Sequence, residues 1–109
     1  MGLFGKKKYV KNVTRDNVFL KDYAIKVNAL INFAQGHDQV INLLEALRDD
    51  FQYSVPTNHP EAKKLEKKIE SDYQSLSVMM AESTWEESEV IRLINIIRQS
   101  IIELTSKRG

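Results

Sequence analysis

The run VIRLINIIRQSIIEL, residues 90–104, decides how this chain folds. Val90, Ile94, Ile97, Ile101 and Leu104 recur at alternating steps of four and three. At about 100° per residue that spacing gathers them on one face of a helix. The same rhythm appears three times upstream: Leu20, Tyr23, Val27, Leu30, Ala34; then Val40, Leu44, Leu47, Phe51; then Leu65, Ile69, Asp72, Leu76, Met79, with one polar break. Four such faces in 109 residues predict an all-α, antiparallel up-and-down four-helix bundle. The helices are expected near 17–35, 39–53, 60–82 and 85–106. A basic arm, 1–15, precedes a single domain, 16–109.

The residues between the repeats punctuate helices. Thr14 or Asp16 can cap the first, and Gly36 sits where a left-handed residue closes it. Asp38 can cap the second. Pro56 turns Val55 away from helix, and Asn58, with Pro60 and Glu61 behind it, offers a start for the third. Ser83 with Glu86 and Thr84 with Glu87 form two overlapping capping boxes before the fourth. Lys107 and Arg108 fall at its negative end. Connections this short are expected to make consecutive helices antiparallel neighbours.

The apolar faces differ in width. Helix 3 gathers Leu65, Ile69, Tyr73, Leu76, Met79 and Met80 within roughly 120°, a single seam. Val90, Ile91, Leu93, Ile94, Ile97, Ile101, Ile102 and Leu104 cover about half of helix 4, and Ile96 lies outside even that arc. Helix 1 is similarly broad. Surface beyond what two neighbouring helices can cover is a candidate interface. On helix 4 its residues are Ile91, Ile96 and Ile102, with Trp85, the only tryptophan, at the head of the helix.

Composition excludes more than it asserts. Apolar residues are 42% and charged residues 28%, and four Gly and two Pro suit helices. With no Cys there is no disulfide, thiolate site or cysteine nucleophile, which fits a cytoplasmic setting. No apolar run reaches the roughly 18–20 residues of a membrane span, and the lysine-rich start has no apolar run behind it, unlike a secretory signal. Gly2 invites an N-myristoylation reading, but Lys6 stands where that motif needs Ser or Thr.

No catalytic motif emerges. A di-iron bundle requires Glu-x-x-His, which is absent. Zinc needs three or four converging ligands; His37, His59 and Asp38 are the only set to test, and solvated turns are the simpler reading. There is no P-loop, dinucleotide fingerprint or nucleophile elbow. Asp72 reads as an edge residue beside Lys68, because a 3.6-residue period drifts the seam onto Tyr73. Asp49 and Asp50 read as solvated surface. Lys63, Lys64, Lys67 and Lys68 stand among Glu66, Glu70 and Asp72, and the mixed signs read as a solvated face rather than a nucleic-acid stripe. Neither a cofactor nor a small-molecule substrate is expected.

One charge asymmetry stands out. Lys6, Lys7, Lys8, Lys11 and Arg15 give the arm +5 with no acid, leaving about −4 (+1 minus +5) on residues 16–109. With Tyr9, Leu3 and Phe4, such an arm suits anionic lipid or nucleic acid. The leading expectation is a non-enzymatic protein-interaction module. Its partner is another protein or a second copy, held through helix 4 or helix 1. The alternative is an accessory binder of anionic membrane or nucleic acid through the arm.

Overall fold

The computed structural model describes residues 19–54 and 60–106. It is an all-helical four-helix bundle, as the repeats predict. Helix α1 covers residues 19–30 and tightens into a 3-10 turn, Ile31–Ala34. Helices α2 (Asp38–Tyr53), α3 (Ala62–Ala81) and α4 (Glu87–Ser106) follow. Where both can be compared, boundaries agree with the periodicity to within two residues. The expected caps Thr14, Asp16 and Asn58, the Val55–Pro56 turn, His59 and the basic pair Lys107–Arg108 lie outside the described residues.

Cross-helix bonds give the directions. Tyr23 stacks on Phe51 and Asn28 accepts from Arg48, so rising numbers on α1 meet falling numbers on α2, and the two are antiparallel. His37 meets Glu87, and Asp50 meets Arg98, so the starts of α2 and α4 lie together, as do their later turns. These two helices run parallel and side by side. Helix α4 packs along both α2 and α3, whereas α2 and α3 make no comparably close approach. Consecutive helices are therefore close neighbours for α1–α2 and α3–α4 but not for α2–α3.

Position explains the unequal faces. Helix α4 is broadly apolar because it serves two neighbours, burying Val90, Leu93, Ile94, Ile97, Ile101 and Leu104. Buried Ser100 among them keeps its hydroxyl satisfied by donating to the Ile96 carbonyl at 3.3 Å. Val27, Val40, Leu44, Leu47, Phe51, Ile69 and Leu76 complete a core closed to water. On α3 the seam drifts: Met80 is buried, while Met79 is half-buried at its edge. An aromatic cluster ties three helices together. Tyr23 lies 5.0 Å from Phe19, 5.5 Å from Phe51 and, edge-on, 5.2 Å from Tyr73.

Helix ends differ in detail from the capping expectations. Gly36 has φ +92°, and a Cβ there would meet nothing within 4 Å, so backbone conformation rather than space reserves the position for glycine. His37 takes the N-cap position of α2, and Asp38 is the first helical residue, with no side-chain cap bond. It can still favour the positive end of the helix electrostatically. Neither Ser83 nor Thr84 closes its capping box among the described residues. The Glu86 carbonyl accepts from the Val90 amide at 3.1 Å, and the Glu87 carboxylate turns instead to His37.

Candidate interaction surface

The four apolar residues singled out on α4 and before it fall into different settings. Trp85 precedes the helix, half-buried against the core, with its ring 4.4 Å from that of His37. It covers the end of the bundle. Ile91 is half-buried against the same core, and Ile96 is half-buried as well. Only Ile102 faces water, at 59% exposure. Of the four, Trp85 and Ile91 thus pack against the core, and Ile96 is partly covered.

The surplus that remains lies at the C-terminal ends of the two parallel helices. Tyr53, the last residue of α2, is 74% exposed and shares a groove of about 570 Å³ with Ile102. Ile101 and Thr105 line the groove from α4, and Asp49, Asp50 and Ser54 from the α2 side. Asp50 is not the solvated residue that its place beside Asp49 implied. Arg98 Nε donates to Asp50 Oδ2 at 2.6 Å, spanning the two helices beside the groove. The Ser54 hydroxyl donates to the Asp50 carbonyl and closes the last turn. Sequence reasoning missed Tyr53 because it lies off the α2 stripe, and a residue off the stripe has no periodic signal.

Other exposed apolar residues are dispersed. Ile25, 70% exposed, sits in a second groove of about 520 Å³ between α1 and α2, with Lys21, Asn28, Arg48 and Gln52. Arg48 Nη1 donates to Asn28 Oδ1 at 2.9 Å across it. Phe33 projects from the 3-10 turn and Val78 from α3.

Polar groups along the bundle surface have structural partners. His37 is more than a solvated turn residue: its Nδ1 lies 2.9 Å from Glu87 Oε2. Asp72 stands at the edge of the α3 seam and pairs with Lys68 at 2.7 Å, as its neighbours implied. Tyr73 donates to the Lys26 carbonyl at 3.2 Å. Burial pushes the Tyr23 and Tyr73 phenols above their ordinary range, partly offset by the positive charge of Lys26. The hydrogen bond to Asp22 raises Lys26 in turn. Phenols held protonated in this way serve as packing and hydrogen-bonding groups.

Among the described residues, no three His, Asp or Glu side chains converge as a metal site, and no helix is long and apolar enough to cross a membrane. Lys6, Lys7, Lys8, Lys11 and Arg15 lie outside the described residues. Comparison with known proteins finds no matching family model, no matching curated protein and no matching solved structure.

Proposed function

We propose that this chain is a non-enzymatic helical interaction module that holds another protein, or a second copy of itself, in the groove between the ends of α2 and α4. One observation carries the reading. Tyr53 and Ile102 are large and exposed, come from different helices, and stand together over a concave surface. Grooves that present an aromatic anchor beside an aliphatic one resemble the centres of protein interfaces. The cysteine-free composition supports a cytoplasmic setting for this binding.

Light scattering on the native protein, beside Ile102→Asp and Ile25→Asp, tests it. A complex lost in Ile102→Asp and kept in Ile25→Asp supports the groove. Loss in both variants, or in neither, counts against it.

A second reading rests on charge: residues 1–15 carry five cations and no acid. Under it, the arm brings the module to an anionic membrane or a nucleic acid. Removing residues 1–15 is then expected to abolish binding to anionic vesicles or oligonucleotides, and unchanged binding would dismiss it.

A further inference from the structure

The lysines of α3 read as a mixed, solvated face in the sequence; on the helix they share one side, bordered by Glu70 at one edge and by Asp72 and Glu61 at the other. At 100° per residue, Lys63, Lys67, Lys64 and Lys68 fall within an arc of about 140°, and all four are exposed. Glu66 and Asp72 lie outside that arc and are half-buried, and Glu70 stands at its edge. Two of the lysines have ion pairs at the surface, Lys68 with Asp72 at 2.7 Å and Lys64 with Glu61, just before the helix, at 3.7 Å. Such pairs are weak and exchangeable. Lys63 and Lys67 make no ion pair among the described residues. The two lysine rows repeat about 6 Å apart along the axis (four residues at 1.5 Å). Each row can meet a separate phosphate.

One further observation bears on the partner. The first two turns of α3 present no exposed large apolar side chain; Val78, the one on this helix, lies more than two turns beyond Lys68. That face can neutralise phosphates but has nothing to insert among acyl chains, which favours a solvated polyanion over a bilayer.

We propose that the outer face of the first half of α3, formed by Lys63, Lys64, Lys67 and Lys68, contacts the phosphate backbone of a nucleic acid. This goes beyond the protein-interaction reading and does not depend on it. The contact is indifferent to sequence, because lysine on phosphate positions a duplex without reading its bases.

Fluorescence anisotropy of the full chain with a labelled mixed-sequence DNA duplex, titrated over a range of salt concentrations, tests it. Native protein is expected to bind with an affinity that falls as salt rises. Replacing all four lysines by glutamine should weaken binding and flatten the plot of log affinity against log salt by up to about 3.6, at 0.9 per lost contact. Replacing all four by arginine should preserve the slope. Lys63→Gln with Lys67→Gln, which breaks no ion pair among the described residues, should flatten it by about 1.8. Absence of salt-dependent duplex binding overturns the proposal. So does a slope unchanged in the glutamine variants, or binding to phosphatidylserine vesicles without binding to the duplex.

Discussion

Phe51→Ala is expected to be among the most damaging single truncations, and Phe33→Ala among the most tolerated. Phe51 is closed to solvent and its ring stacks on Tyr23 at 5.5 Å. Truncation removes the transfer free energy of the ring, the stacking contact, and the packing of the void left behind. Together these cost about 3–5 kcal/mol. A domain of this size has a total stability of about 5–15 kcal/mol, so much of the margin would disappear. Phe33 is 55% exposed, and its loss should change stability by about 0.5 kcal/mol or less. Urea unfolding followed by the far-ultraviolet helical signal measures both. With a slope of roughly 1–3 kcal/mol per molar, Phe51→Ala should lower the midpoint by molar amounts, and Phe33→Ala should barely move it. If Phe51→Ala costs less than about 1 kcal/mol, or the two variants cost the same, the core is not arranged as described.

Other outcomes follow from single features. Gly36→Ala should destabilise by about 1–2 kcal/mol in thermal unfolding, because φ +92° suits glycine alone, although the site has room for a methyl group. A double-mutant cycle on Asp50→Ala and Arg98→Ala should give a coupling of only about 0.5–1 kcal/mol, since both side chains stay roughly a third exposed; zero coupling would remove this tie between the parallel helices. Alkali should weaken the fold. Tyr23, Tyr73 and Lys26 all hold their protons more tightly folded than unfolded, so their contribution is full below about pH 10 and is lost as pH rises through the folded values. Stability that rises above pH 10 would contradict that sign.

The bundle was legible because its core obeys one rule. Val40, Leu44, Leu47 and Phe51, and Val90, Ile94, Ile97 and Ile101, are buried where the period puts them. What periodicity could not give is which helix each face meets. Helix α4 is broadly apolar because it lies along both α2 and α3, and the parallel pairing of α2 with α4 depends on three-dimensional order that no local pattern encodes. Polar partners were misread for the same reason. His37 and Asp50 lie fifty and forty-eight residues from the Glu87 and Arg98 that hold them. Tyr53 escaped notice because an exposed residue leaves no periodic trace. The α3 lysines read as a solvated face among acids, and all four are exposed; sequence adjacency alone does not show that they share one side of the helix.

The most direct measurement is the mass in solution of the native protein, purified gently from its own host, beside a Tyr53→Asp/Ile102→Asp variant of matched unfolding midpoint. If the groove between α2 and α4 is the binding surface, the native chain travels in a complex larger than its 12.6 kDa, and the variant travels alone. A native chain found only as a monomer, or a variant that keeps the complex, would contradict it.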